Sequence, residues 1–502
     1  MSNAHVKNAI TPSSPPSESS SDETQLQRSL VRGIAWTGMV KWTSQALSWV
    51  STIVVARLLL PSDYGLVALA TAFLGLVALV NEFGLGSAIV MLQQLSIRLI
   101  GQLNSLAVLL GLGGFGFACV VAIPLGQFYG TPDLPLVIVV LASGFIVGAF
   151  RSVPNALLEK GLHFKTLAFL EGGQSLLAAT TTVLLAWNGA GYWALVLGNL
   201  FGSLVVTGVV VAVWGQPFVW PVVHELGGVL RFSWHMLASR VSWYFASTSD
   251  VFVAGRLLGQ APLGAYTFGA TLANVPLEKV TGLVNRVAPA FYSAVQNDHV
   301  ILRRYLVGLT EGLALVTVPV ALGMALVANE FVLLVLGDKW SAVSAPLQVL
   351  AVYGALRSVT SLMSPLFFIT GGSRIAMING FVGMILFPVG FLVGSEWGIV
   401  GIAMAWLVVH PVTLVPMYWH VLPSIGLSFW QYVRSLWPAV SSALVMVVAV
   451  SLVRMSVPVD ASLAARLILL VLAGGAAYCL TLLVLHRQRI RSFVTLMKRG
   501  LT

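Results

Sequence analysis

Charge is what this chain has least of. Only 9% of its 502 residues are Asp, Glu, Lys or Arg, while 58% are apolar; a soluble domain carries about 25% charge. Together with a mean hydropathy of +0.91, that excludes a water-soluble globule. Cysteine is nearly missing. Cys119 and Cys479 are the two present, both inside apolar runs, so no disulfide staple is expected. No Gly-Lys dipeptide occurs, which removes the Walker A phosphate loop and with it ATP hydrolysis. There is no His-Glu-x-x-His helix and no Cys-x-x-Cys pair, and the eight histidines show no ligand spacing. No metal centre or other cofactor is therefore expected. No apolar stretch with a small-residue cleavage site follows a basic start, so no cleaved signal peptide is expected.

What remains is hydrophobic length. The apolar segments are continuous runs of about 20 residues rather than short alternating ones, the signature of an α-helical integral membrane protein and not of a β-barrel. About fourteen windows of this kind can be counted. Residues 1–27 are Ser/Pro-rich and read as a disordered tail. Residues 28–214 hold six spans, 215–230 a linker interrupted by Pro217 and Pro221, and 231–420 six more. An added helix pair covers 421–486, and 487–502 form a basic amphipathic end suited to a membrane surface. No connection is large enough for a soluble catalytic domain, so the expectation is a transporter rather than an enzyme.

The two six-span blocks share a register. Ala56-Arg57-Leu58-Leu59-Leu60-Pro61-Ser62-Asp63-Tyr64-Gly65 reads against Gly255-Arg256-Leu257-Leu258-Gly259-Gln260-Ala261-Pro262-Leu263-Gly264 at an offset of 199 residues. Upstream, Lys41 falls on Arg240, Ser48 on Ser247 and Val54 on Val253 without a gap. Six is even, so the repeat is parallel, and duplicated membrane proteins bind cargo where their halves meet. Gly198-x-x-x-Gly202 and Gly390-x-x-x-Gly394 permit close helix contact.

Basic residues set the expected orientation. With the N-terminus inside, sixteen loop and tail cations fall on the cytoplasmic side and five (Arg57, Arg256, Lys339, Arg454 and Arg466) outside. Both termini are then cytoplasmic. The net charge of +10 follows from this topology, and no nucleic-acid partner is expected.

Six cations fit no loop: Lys41, Arg151, Arg240, Lys279, Arg286 and Arg357. Five acids join them at depth: Glu82, Glu171, Asp250, Glu278 and Glu311. A charge in mid-membrane costs roughly 2.5–3.5 kcal/mol on insertion scales. These side chains must pair with one another, the adjacent Glu278 and Lys279 among them, or line a hydrated chamber. The duplicated Lys41 and Arg240 favour a chamber able to hold one diphosphate between two cations, and Arg suits phosphate through its planar fork. Glu82, Asp250 and Glu278 are candidates for coupling to an ion gradient, Na+ or H+ being left open. Trp36, Trp42, Trp49, Trp234, Trp243, Tyr244 and Phe245 crowd the first helix of each half. They fit either an interfacial belt or stacking on sugar rings.

The segment Ala56 to Ser96, with Glu82-Phe83-Gly84-Leu85-Gly86-Ser87-Ala88 at its centre, closely resembles the bacterial polysaccharide flippases. These belong to the multidrug/oligosaccharidyl-lipid/polysaccharide exporter superfamily. Pro154-Asn155-Ala156-Leu157-Leu158-Glu159-Lys160-Gly161-Leu162-His163-Phe164-Lys165 resembles the link between that family's fourth and fifth helices. The resemblance implies two six-helix lobes in a V around a cavity, often with two extra helices. It implies movement of undecaprenyl-diphosphate-linked oligosaccharide from the inner to the outer leaflet of the bacterial inner membrane, for polysaccharide polymerase machinery to consume. Cavity cations would hold the diphosphate, at positions matching Lys41, Arg151, Arg240, Lys279 and Arg357. A multidrug/cation antiporter of the same superfamily is the alternative; six deep cations against five acids favour the flippase.

Overall fold

The computed structural model describes residues 48–82, 86, 89, 96–458 and 461–487, and for residues 82, 223–239 and 373 the backbone alone. The described residues are overwhelmingly helical. In chain order the helices are α1 (Ser48–Leu58), α2 (Pro61–Glu82), α3 (Ile97–Tyr129), α4 (Leu134–Lys160), α5 (Phe164–Trp187), α6 (Trp193–Trp214) and α7 (Val223–Leu257). Then follow α8 (Gln260–Ala294), α9 (His299–Val335), α10 (Ser344–Thr360), α11 (Met363–Ile369), α12 (Ser373–Gly394), α13 (Gly398–Ser424), α14 (Phe429–Ser456) and α15 (Leu463–Leu485). Among the described residues, nine helical segments are long and apolar enough to cross a membrane. This is a multi-pass membrane protein.

Helix ends follow local chemistry. Ser96 caps α3 by accepting the Leu99 N–H at 3.1 Å, and Asp298 caps α9 by accepting the Val300 and Ile301 N–H groups at 3.0 Å. Ser428 and Gln431 form a capping box on α14. The duplicated turn is built differently in its two copies. In the first, Pro61 opens the helix and the Asp63 carboxylate accepts the Leu60 N–H at 2.8 Å. In the second, Gly259 takes φ +86°, which a side chain would resist. The apolar stretch over 344–369 is two pieces, α10 and α11, separated at Ser361 and Leu362. A 3-10 turn, Asp338–Val343, leads into it and buries Trp340.

The chain divides into two compact units. Of the described residues, one holds those up to Leu59 and those within Ala70–Val241; the other holds Leu60–Leu69 and those from Ser242 onward. In the first, α3 lies along α4 and α5 along α6. Gly198 and Gly202 make the second pairing close: a Cβ on Gly202 would sit 2.7 Å from the Gln174 carbonyl oxygen. In the second unit, α9 packs on α10, α12 on α13, and α14 on both α15 and α9. Ala314, Val318 and Ala321 of α9 share one core with Ala443, Met446 and Val450 of α14 and Tyr478 of α15.

Two glycines meet in this second unit. A Cβ on Gly65 would clash with the Gln260 carbonyl oxygen, and a Cβ on Gly264 with the Pro61 carbonyl oxygen. Gly65 and Gly264 are equivalent positions of the sequence duplication, as are Pro61 and Gln260. The starts of α2 and α8 therefore cross backbone on backbone, in a contact that is the same read from either copy. Tyr64, Phe268 and Trp340 close over it, with ring centroids 4.7–5.2 Å apart.

Candidate substrate and coupling site

Three of the long helices, α5, α7 and α8, fall outside the set apolar enough to span by composition. They carry most of the charges that the sequence could not assign to loops. Polarity is concentrated in a few helices rather than spread among all.

In the second unit, α8 presents Glu278, Lys279 and Arg286, all exposed. Lys279 and Arg286 are two turns apart on one side of the helix. Glu278 does not pair with its neighbour Lys279, since successive helical side chains point about 100° apart. It meets Arg357 of α10 at 3.8 Å, with the two side chains 58% and 49% exposed. At that distance and exposure the pair is loose, and exposed ion pairs contribute under about 1 kcal/mol. Arg357 is thus held near Glu278 but not neutralised in a dry interface. One turn on, the Ser361 hydroxyl donates to Asn285 Oδ1 at 3.3 Å, joining α10 to α8 again.

Asp250 occupies the opposite kind of environment. It is 7% exposed on α7. Tyr266 of α8 donates to its Oδ2 at 2.6 Å and Trp406 of α13 at 3.3 Å, while the Val251 N–H donates to Oδ1 at 2.8 Å. Trp406 Nε1 also lies 3.0 Å from the Tyr266 hydroxyl. Every one of these contacts is a donor, and among the described residues no Lys or Arg forms an ion pair with the carboxylate. Tyr353 stacks on Trp406 at 5.1 Å and meets His410 edge-on at 5.4 Å. The His410 Nε2 is buried with no partner among the described residues. These donors favour the charged carboxylate, while its burial without a paired Lys or Arg among the described residues opposes that charge.

In the first unit, Arg151 of α4 is part-buried and donates to Gln174 Oε1 of α5. Glu171 lies one turn before Gln174 on the same helix. Arg240 is exposed on α7. Lys41 and the Glu82 side chain fall outside the described residues, as do Trp36 and Trp42; Trp243 is 66% exposed.

Of the sequence candidates, Glu278 and Arg357 come together across α8 and α10, Lys279 and Arg286 lie on α8 with Glu278, and Asp250 stands apart in its own enclosure. Sequence reasoning missed Tyr266, Trp406, Tyr353, His410 and Gln174. Tyr266 lies 16 residues from Asp250 and Trp406 lies 156 from it, so no local spacing marks them as its donors.

Among the described residues, nine apolar spans accompanied by long charged helices define a multi-pass membrane protein with polar chemistry inside its helices. A family profile described as polysaccharide biosynthesis protein matches residues 54–345, and the chain belongs to that family, the one to which Ala56 to Ser96 pointed. It is 27% identical over 425 residues to the lipopolysaccharide biosynthesis protein WzxC of Escherichia coli (strain K12), covering 82% of this chain and 85% of WzxC. It is 25% identical to the succinoglycan biosynthesis transport protein ExoT of Rhizobium meliloti (strain 1021), covering 78% of this chain and 80% of ExoT. Among solved structures, the lipid II flippase MurJ in its inward closed conformation aligns with a TM-score of 0.74 over 91% of this chain and all of MurJ, at 12% identity. What is shared there is the fold.

Proposed function

We propose that the protein flips undecaprenyl-diphosphate-linked oligosaccharide repeat units from the inner to the outer leaflet of a bacterial inner membrane, supplying polysaccharide polymerase machinery. In this reading fourteen spans form two six-helix lobes and an added pair, with both termini cytoplasmic. The lobes expose the site to one side and then the other, without hydrolytic chemistry. The names of the relatives WzxC and ExoT support the pathway. The observation that carries the reading is the set of open cations at helix-interior positions, Lys279, Arg286 and Arg357. Cations left unburied in such helices suit an anionic headgroup. Arg240, its repeat partner Lys41, and Arg151 are the further diphosphate candidates.

Coupling is assigned to Asp250. A buried acid with no Lys or Arg paired to it among the described residues supports a coupling role, Na+ or H+ being left open. Glu82 and Glu278 are lesser candidates, Glu278 because Arg357 already attends it.

Lys41→Ala combined with Arg240→Ala tests the diphosphate grip. The double variant should abolish surface polysaccharide while its membrane level and its melting temperature in detergent stay at wild-type values. Normal export by that variant overturns the assignment.

A further inference from the structure

The polar residues of α8 are not scattered. Thr267, Thr271, Asn274, Glu278, Thr281 and Asn285 follow one another at spacings of 4, 3, 4, 3 and 4. At 3.6 residues per turn that spacing draws one stripe along the helix, about 27 Å long, with Pro276 at its middle. Leu272, Ala273, Leu277 and Ala288 of the same helix are buried on its other faces.

The chemistry along the stripe is biased. The Thr267, Thr271 and Thr281 hydroxyls each donate to a carbonyl one turn back, at 3.0, 2.9 and 3.0 Å. Their protons are spent on the helix, and their oxygen lone pairs face outward. Glu278 offers only acceptors when ionised. Asn274, part-exposed, makes no hydrogen bond with another described residue. Asn285 already accepts the Ser361 hydroxyl, so its amide N–H groups remain to donate. Back-bonded threonines alone are tolerated against lipid, but two carboxamides and a carboxylate in line with them are not.

We infer that this stripe is the surface that recognises the glycan of the cargo. A row rich in acceptors, interrupted by two amides, complements a ligand whose surface is mostly hydroxyl donors, which is what an oligosaccharide presents. An acyl chain would leave those groups unpaired, and the exposed Lys279 and Arg286 beside the row oppose a cationic drug. Lys279 and Arg286 run parallel to the stripe about a quarter turn around the helix. A diphosphate held there would place the attached sugar against the neighbouring row. The inference rests on the flippase reading and adds the sugar-reading residues to it.

Binding of two probes to the full chain in lipid vesicles separates the two claims. One probe is undecaprenyl diphosphate without sugar; the other is the lipid-linked oligosaccharide extracted from cells making the surface polymer. Thr271→Val, Asn274→Leu and Thr281→Val combined should weaken the sugar-bearing probe about tenfold or more, as unpaired polar groups in such sites do. Binding of the bare diphosphate and the melting temperature should not move. Lys279→Ala with Arg286→Ala should weaken both probes. Equal loss for both probes in the stripe variant, or no loss for either, overturns the glycan stripe. A charge variant that binds both probes normally overturns the diphosphate reading and leaves the stripe standing.

Discussion

At the scale of single residues, Asp250 is the side chain whose placement most needs a functional reason. Removing a carboxylate from water costs several kcal/mol unless a cation or enough hydrogen bonds compensate. Here compensation comes from three donors and no counter-ion among the described residues. The arrangement is finely balanced, because protonating the acid makes one of its oxygens a donor and sets it against Tyr266 or Trp406. The groups facing it from the packed helices are Tyr244 on α7, Tyr266 on α8, Tyr353 on α10 and Trp406 on α13. Two variants separate structure from coupling. Tyr266→Phe removes the shortest donor and should destabilise the protein by about 2 kcal/mol, the usual range for a hydrogen bond to a charged group. That loss is read as a lower melting temperature in detergent. Asp250→Asn keeps the shape and removes the charge, and should make transport into vesicles indifferent to an imposed pH gradient. Retained gradient dependence in that variant would place coupling elsewhere, with Glu82 and Glu278 next in line.

At the scale of elements, the α2–α8 crossing shows what the sequence announced and what it withheld. The 199-residue register made Gly65 and Gly264 equivalent, but nothing in a register says that equivalent positions touch. Their contact depends on two helix starts brought together by the rest of the fold. Any side chain at either glycine meets a backbone carbonyl that cannot rotate away. Gly65→Val and Gly264→Val should each therefore cost about 1–3 kcal/mol by overpacking. Because the contact is symmetric, the double variant should lose less than the sum of the singles, a non-additivity read from paired melting curves. Fully additive losses would mean that the two positions act independently. The helical membrane class, the family and the presence of charges within helices were legible, because hydropathy and charge position are properties of composition along the chain. The pairing of those charges was not: Glu278 turned to Arg357, 79 residues away, and not to Lys279, for reasons of helix geometry and tertiary packing. The polar stripe of α8 was written in the sequence at heptad-like spacing, and needed only to be read as a face.

At the scale of the whole molecule, the last two helices are joined to the second unit through α9. Tyr478 of α15 donates to the Leu315 carbonyl at 2.8 Å, and α14 shares a buried apolar core with α9. Arg454 of α14 bonds the Leu326 carbonyl and meets Glu330 at 2.9 Å, with Glu330 only 7% exposed and Arg454 38%. A helix pair serving only as membrane ballast would not bury an acid against its neighbour. The ion pair makes the added helices a structural continuation of α9. Arg454→Met leaves the Glu330 carboxylate buried without its partner and should destabilise by about 2 kcal/mol, at the low end for such a loss because the arginine is partly open to solvent. Adding Glu330→Leu removes the stranded charge and should recover most of that stability, since an apolar pair of similar size often replaces a buried ion pair without penalty. The discriminating readout is transport in the stable double variant. If α14 and α15 merely need to be docked, the double variant transports as wild type does. If the ion pair itself opens during the cycle, the double variant melts normally and transports slowly.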